Sequence, residues 1–490
     1  MLITTYYRFI LYCFGISILC SLAACTTPAR IVFFNAPSIE DVDIFSVDTV
    51  AANPQPFTFA KKSYAPLPPL KQWVKHPIVN EFYSLEEFLI RTQTTSFLVI
   101  RNDTILYENY FNGFDMDRPS IVFSVSKAIT TTLVGIAIKE GHIKNLQEPV
   151  YKYIPEFAND NRRNITLEHL IQMTSGLNAA DHSRLLLLAR IYYNTHLEDL
   201  IKKVKLKHQP GTVFDYKSLD TAILGICLEQ AIGKPISVYM QEKLWQPIGA
   251  EYNCLVTLDR ENGTPRLYGG LAACARDLAK VGRLYLNNGS WNNLQILPEQ
   301  WVQRSTTINL AHQEGCWWGY STGWWLDSYV GGNLLDKQDF EAAGYNGQLI
   351  YVNPETNIIV VRQGKAESKQ NWVDIAARLA NLLNTCTETK DYSAKIDTAQ
   401  FIGTFKSIAA PKTICKIWKK DADKSSDGEQ WVVKKSNELK GVEMTQESPL
   451  SLFNDKARQR IIYDIDTKGE VIGLYFDNFH KTKYYEKIKP

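Results

Sequence analysis

Phe123-Ser124-Val125-Ser126-Lys127-Ala128-Ile129-Thr130-Thr131-Thr132-Leu133-Val134-Gly135-Ile136-Ala137-Ile138-Lys139-Glu140-Gly141 reads as one helix, apolar on almost every side. Ile129, Leu133 and Ile136 share a face, and Gly141 stands where a helix stops. A helix that is apolar all round is buried, so the lysine near its start, Lys127, needs an explanation. Ser124 precedes it by three residues. At a helix start, residues i and i+3 lie on the same side, which brings the amine to the hydroxyl. A serine attacks well only when a base takes its proton. An ammonium cannot do so, and Lys127 would need its pKa lowered by burial or by a positive neighbour. The helix N-terminus adds free N–H groups and a positive end, suited to a developing oxyanion. Taken alone the spacing is weak. It arises by chance about once or twice in a chain this long, with Ser124 then a simple capping residue.

Working outward, Leu85 to Thr92 reads as a short helix. Phe97-Leu98-Val99-Ile100 and Thr104-Ile105-Leu106-Tyr107 flank Arg101-Asn102-Asp103 as a hairpin. Beyond the central helix come helical segments at Leu167 to Met173, Arg184 to Tyr193, Leu219 to Ala231, Ser237 to Trp245 and Asp277 to Leu286. Strands resume at Trp317 to Trp325, Gln348 to Val352 and Ile358 to Val361, with a turn over 353–357, and a helix from Trp372 to Leu383 closes the block. Strands early and late around a helical middle predict an α+β fold: an antiparallel sheet flanked by helices, its first and last strands meeting, plus a helical subdomain. From about Ile396 short strands alternate with turns, as in Arg460 to Ile465, Lys468-Gly469 and Val471 to Phe476, which predicts a small C-terminal all-β domain. The expected layout is an N-terminal targeting segment over 1–25, an extended, proline-rich arm over 26–83, a main domain over 84–388 and the β-domain over 396–490.

The totals describe an ordinary globular chain. Of 490 residues, 45% are hydrophobic and 22% charged, and the net charge is +2, so no clustered basic face argues for a nucleic-acid partner. The basic run Lys416 to Lys420 reads as a solvated loop or strand edge. Arg8 followed by the apolar run Phe9 to Ala24 is short for a transmembrane span. It ends in Leu22-Ala23-Ala24-Cys25, which resembles a bacterial lipobox with Cys25 as the lipidated residue. An exported protein, anchored by lipid and facing the periplasm or cell surface, is the expectation; an ordinary signal peptide or uncleaved anchor is the alternative. Of the nine cysteines, the six beyond the leader show no metal-ligand spacing and read as buried free thiols. No metal, cofactor or obligate protein partner is expected.

Several ordered segments resemble the serine β-lactamase and penicillin-binding-protein superfamily, most closely its class C β-lactamase-like branch of esterases, D-aminopeptidases and 6-aminohexanoate-dimer hydrolases. They are Phe123 to Gly141, Ile165 to Leu170 with Met173-Thr174-Ser175-Gly176-Leu177, Pro210 to Ser218, Gly269-Gly270-Leu271 with Ala275-Arg276-Asp277-Leu278, and Gly344-Tyr345-Asn346-Gly347-Gln348. The resemblance covers roughly 84–388 and implies a β-lactamase/transpeptidase-like fold. It implies that Ser124 is the acylated nucleophile, Lys127 its base and Tyr216 a proton shuttle. The backbone N–H groups of Ser124 and Gln348 would form the oxyanion hole. Ser218, Tyr345, Asn346 and Gly347 would meet the substrate.

Two positions depart from the family. Ser218 replaces the asparagine of the Tyr-x-Asn motif, and Tyr345 replaces the Lys or His that opens the third motif and binds a substrate carboxylate. The implied activity is therefore a serine hydrolase acting on small ester, amide or peptide-like substrates. D-Ala-D-Ala carboxypeptidase or β-lactamase activity, a non-catalytic ligand-binding relative, and a functional C-terminal module remain as alternatives. Outside these motifs, Asp181-His182 reads as a solvated pair, Arg276 as a structural ion-pair partner, His142 as a helix-end cation, and Trp317, Trp318, Trp324 and Trp325 chiefly as core.

Overall fold

The central helix forms as its composition requires. In a computed structural model it spans Val125–Lys139, with Val125 through Ala137 all buried. Its three threonines are tolerated there because their hydroxyls find carbonyls. Thr130 and Thr132 bond back to Ser126 and Ala128 at 2.9 and 2.7 Å, satisfying groups that water cannot reach. Two also leave the helix: Thr130 donates to the Leu267 carbonyl at 2.8 Å and Thr131 to that of Thr322 at 2.8 Å. Gly141 follows with φ +80°, the left-handed stop that glycine favours. His142 lies 3.6 Å from the Glu140 carboxylate.

The structure describes residues 26–34, 36–61, 67, 85–308, 318–330, 333–334, 337–366 and 371–385, and the backbone of eight strands between 403 and 487. The chain divides into two compact units interleaved in sequence. The first holds Pro119–Ala273 and Asn287–Gly344 together with the segment ending at Pro56; the second holds Phe57–Arg118, Cys274–Leu286 and Tyr345–Pro490.

In the first unit a four-stranded antiparallel sheet runs in the order Ser46–Val50, Cys254–Leu258, Leu271–Ala273, Ser120–Ile121. Its last strand leads directly into the central helix. Helices Leu167–Ile171, Leu185–Tyr193, Leu197–Lys203 and Ser218–Ile232 build the helical block. Strands Trp318–Ser321, Trp324–Val330 and Phe340–Gly344 pair antiparallel in that order.

One expectation is corrected here. Residues 26–83 are not simply an extended arm: Thr27–Phe34 is helical, and Ser46–Val50 is an edge strand in full register with Cys254–Leu258. The physical reason is that the arm's apolar residues have partners. Phe34 stacks on Tyr193 at 6.1 Å, and Phe45 packs edge-on against Tyr192 at 5.5 Å.

In the second unit the first and last strands meet as the sequence predicts. Thr94–Arg101 pairs antiparallel with Ile358–Gly364, Val99 facing Val360. The order is Gln348–Asn353, Ile358–Gly364, Thr94–Arg101, Thr104–Tyr110, with the short parallel strand Ala60–Lys61 beyond. Both faces are covered, which explains why these strands read as continuous apolar runs rather than alternating ones. Phe97, Val99, Tyr351 and Val360 pack with Trp372, Ile375 and Leu379 of the helix Trp372–Thr385. On the other face, Ile350, Val352 and Ile359 crowd Gly282 of the helix Ala275–Leu286, the nearest methyl 3.1 Å from where a Cβ would sit. Arg276 clasps Glu108 through two bonds of 2.5 and 2.8 Å, the structural ion pair expected of it.

Residues 403–487 contain eight strands, each antiparallel to the next. Phe405 of the first pairs with Lys487 of the last, closing a barrel. Closure leaves no open sheet edge. Lys416 to Lys419 lie in the strand Ile414–Lys419. Among the described residues Cys227 is a buried free thiol, and Cys254 and Cys274 are buried as well. Cys25 and the whole targeting segment 1–25 lie outside the described residues.

Candidate active site

Phe123 has φ +46°, a left-handed backbone that a bulky residue adopts only under constraint. It turns the chain sharply from the strand Ser120–Ile121 into the helix, with Ser124 at the helix N-cap. Its ring is buried beside Tyr192, at 6.3 Å. The hydroxyl of Ser124 is therefore held on a tight turn rather than on a mobile loop.

Around it stand the groups the sequence nominates. Lys127 is 1% exposed. Its Nζ lies 2.9 Å from Ser124 Oγ, 3.2 Å from Ser218 Oγ and 2.9 Å from the Tyr268 carbonyl oxygen. Burial pushes its amine down from 10.5 to about 8, against the opposing pull of the Asp181 carboxylate. The lowered basicity that a lysine base requires thus comes from desolvation, not from a positive neighbour.

Burial pushes the Tyr216 phenol well up. It therefore stays protonated near neutral pH. The Lys127 ammonium lies 5.0 Å from its ring centre. Trp325 and Tyr320 flank the same ring at 5.1 and 5.8 Å.

The segment around Tyr216 is anchored by buried charge. Lys217 Nζ donates to the carbonyls of Asp215 at 2.6 Å and Met173 at 3.3 Å, and lies 3.9 Å from Asp220. Ser175 donates to Asp220 at 2.6 Å, and burial raises that carboxyl to about 6. Met173, Ser175, Asp215 and Lys217 lie in segments that carry the family resemblance, but the sequence gives none of these residues a role of its own.

Asp181 is the residue sequence reading missed. The pair Asp181-His182 reads as solvated, and His182 is indeed 74% exposed, its Nδ1 4.0 Å from Asp215. Asp181 instead turns inward. Its own N–H donates to the Tyr216 carbonyl at 3.0 Å. Its carboxylate receives the Ser218 N–H at 2.9 Å and the Ser218 hydroxyl at 2.7 Å. Burial raises the Asp181 carboxyl, with Lys127 pulling it back. The signal available was Ser218 itself. A buried hydroxyl where the family carries an amide has one hydrogen to give, and that hydrogen needs an acceptor. Ser218, expected to meet the substrate, is engaged by Asp181 and Lys127.

The third-motif residues lie in the second unit. Tyr345–Gly347 is a single helical turn broken at Asn346, whose φ is +63°. Asn346 is buried and Tyr345 is 46% exposed. Arg362, fully buried, donates to the carbonyls of Asn346 and Gly347, to the latter at 2.9 Å, and its guanidinium stacks 4.3 Å from the Trp372 ring. Gln348 opens the strand Gln348–Asn353, and its amide bonds Gly364 in both directions at 2.7 and 3.2 Å. Arg362 is a second support that no sequence motif marks.

Of the tryptophans, Trp324 is fully buried against Phe340, Trp325 lies beside Tyr216, and Trp318 is 54% exposed. Trp317 lies outside the described residues. Among the described residues no group of three or more His, Cys, Asp or Glu side chains is placed to hold a metal ion.

A serine hydrogen-bonded to a buried lysine of lowered basicity at a helix start, with a protonated phenol beside the lysine, makes a set suited to a hydrolase that acts through serine. The sequence agrees: the β-lactamase family model matches residues 85–369, and the chain belongs to the β-lactamase family, whose members are generally serine hydrolases. It is 26% identical over 304 residues to a 6-aminohexanoate-dimer hydrolase of Paenarthrobacter ureafaciens, covering 57% of this chain and 74% of that one. It is 21% identical to a provisionally named D-alanyl-D-alanine carboxypeptidase of Escherichia coli, over 55% of this chain and 77% of that one. A solved structure from Bacillus anthracis, provisionally named a 6-aminohexanoate-dimer hydrolase, shares the fold with a TM-score of 0.62 at 24% identity, over 71% of this chain and 94% of that one.

Proposed function

We propose that the protein cleaves ester or amide bonds of small substrates through an acyl intermediate on Ser124. The observation that carries this reading is the 2.9 Å contact between Lys127 Nζ and Ser124 Oγ, with the amine lowered to about 8 by burial. In the first step the Ser124 oxygen bonds the substrate carbonyl carbon while its proton passes to Lys127. The bond to the leaving group then breaks, and the departing oxygen or nitrogen takes a proton from Tyr216, which recovers one from Lys127. Water releases the acyl group by the same route reversed. The Ser124 N–H at the helix start favours the oxyanion.

In the sequence, Tyr345 replaces the Lys or His that opens the family's third motif, and the loss of that cation favours neutral esters and amides over β-lactams and D-Ala-D-Ala peptides. The similarity to a 6-aminohexanoate-dimer hydrolase supports an amide among the substrates. We further propose export with a lipid on Cys25, on the strength of the Leu22-Ala23-Ala24-Cys25 motif.

The test combines a fluorophosphonate probe with intact-mass detection of acyl-enzyme across p-nitrophenyl esters, linear amide dimers and β-lactams. Label and acyl mass should map to Ser124, and Ser124→Ala should lose turnover by several orders of magnitude. Undiminished hydrolysis by Ser124→Ala would refute the assignment.

A further inference from the structure

We propose that Asp181 is a positioning residue for this reaction: through Ser218 it sets the direction of the hydrogen bonds around Lys127, so that the neutral amine turns its lone pair to Ser124. The inference rests on the reading of Ser124 and Lys127 as nucleophile and base.

The hydrogens available to each group fix the arrangement. The Asp181 carboxylate can only accept. It lies 2.9 Å from the Ser218 N–H and 2.7 Å from the Ser218 hydroxyl, so the single hydroxyl hydrogen of Ser218 points at Asp181. The bond between Ser218 and Lys127, at 3.2 Å, must then be donated by the lysine. The Tyr268 carbonyl, at 2.9 Å, also only accepts and takes a second lysine hydrogen. A neutral amine has two hydrogens and one lone pair. With both hydrogens committed, the lone pair is left for the third neighbour, Ser124 Oγ at 2.9 Å. That is the orientation in which Lys127 can take the serine proton. Without a pure acceptor behind Ser218, its hydroxyl is free to donate to Lys127 and occupy the same lone pair.

The substitution Asp181→Asn sharpens the point because it keeps shape and changes hydrogen count. The variant's amide has one oxygen, which the Ser218 N–H claims. Its NH2 then faces the Ser218 hydroxyl as a donor and turns that hydroxyl's hydrogen towards Lys127. The charged and titratable groups that face the network are Lys127, Lys217, Asp220, Tyr216 and Tyr268. Asp181 itself is the group that holds the Lys127 amine up against burial.

Two effects of opposite sign follow. Losing the Asp181 charge makes Lys127 a weaker base, so the acid limb of kcat/KM moves to lower pH and more amine is neutral at pH 7. Losing the direction of the network lowers the rate on the plateau above that limb, by roughly ten- to a hundredfold. The experiment is the pH profile of kcat/KM for a neutral p-nitrophenyl ester in wild type, Asp181→Asn and Ser218→Ala, with fluorophosphonate labelling of Ser124 run alongside. The expected result is a limb displaced to lower pH and a reduced plateau in Asp181→Asn. Ser218→Ala should show a reduced plateau with a limb nearer the wild-type position, because the Asp181 charge remains. A wild-type plateau in Asp181→Asn overturns the proposal, as does a reduced plateau with an unmoved limb, which is what a merely structural role would give. Should Asp181→Asn fail to fold, a wild-type plateau in Ser218→Ala overturns it instead. Failure of wild-type labelling at Ser124 would strike the hydrolase reading itself. Normal labelling with an unchanged plateau strikes only the role of Asp181.

Discussion

Replacing Lys127 by arginine tests the base directly, because it keeps the positive charge and removes the ability to lose it. In the wild type, burial sets the amine at about 8. Below that pH the lysine is protonated and cannot accept the Ser124 proton, so kcat/KM should rise with pH along a limb centred there. About one enzyme molecule in ten carries the neutral amine at pH 7 and about nine in ten at pH 9, which predicts roughly a tenfold rise across that interval. Tyr216 contributes no limb in this range, since its phenol is pushed well above 10. Lys127→Arg should lose at least about a hundredfold in rate at pH 9 and show no limb between pH 6 and 9. The assay is initial-rate hydrolysis of a p-nitrophenyl ester, corrected for spontaneous hydrolysis, with burst kinetics to separate acylation from deacylation. A flat wild-type profile between pH 6 and 9, or an arginine variant within tenfold of wild type, would refute the assignment of Lys127 as the base.

Three further outcomes are expected. Tyr345→Lys should shift the ratio of kcat/KM for a cephalosporin over that for a neutral ester by roughly tenfold or more; efficient cephalosporin hydrolysis by the wild type would contradict the proposed preference. Gly323→Ala should destabilise the fold by about 2–4 kcal/mol in chemical denaturation, since φ there is +88° and an added Cβ would lie 2.6 Å from Thr131 Oγ1 and 3.0 Å from the Lys127 carbonyl. A cost below about 0.5 kcal/mol would show that the hairpin at Gly323 moves aside freely. Cys25→Ala should release the protein from membranes on fractionation; a variant that stays bound with its leader uncleaved would mark an anchor in place of a lipid.

Much of this was legible because apolar runs and spacing survive in one dimension. The helix after Ser124, the hairpin around Asn102 and the meeting of early and late strands all follow from local pattern. So does the reach from Lys127 to Ser124, since three residues on a helix are neighbours whatever surrounds them. What stayed hidden depends on partners distant in sequence. Asp181 lies 37 positions from Ser218, and nothing in its own neighbourhood tells a solvated carboxylate from an inward one. Arg362 sits inside an apolar strand, and only the left-handed turn at Asn346, with carbonyls facing inward, explains a guanidinium there. The helix at Thr27–Phe34 escaped because its support comes from Tyr193, not from its own periodicity.

The pairing of Val99 with Val360 has a consequence for how the protein is made. A ribosome adds some 5–20 residues per second. The strand Thr94–Arg101 therefore exists for roughly 13 to 50 s before the strand that covers its open side has been synthesised. Throughout that wait, Thr94–Arg101 and its hairpin partner Thr104–Tyr110 present apolar side chains and one unpaired backbone edge. The demand for a chaperone falls on this early hairpin, and slowing translation anywhere between residues 110 and 358 lengthens its exposure without altering the finished molecule.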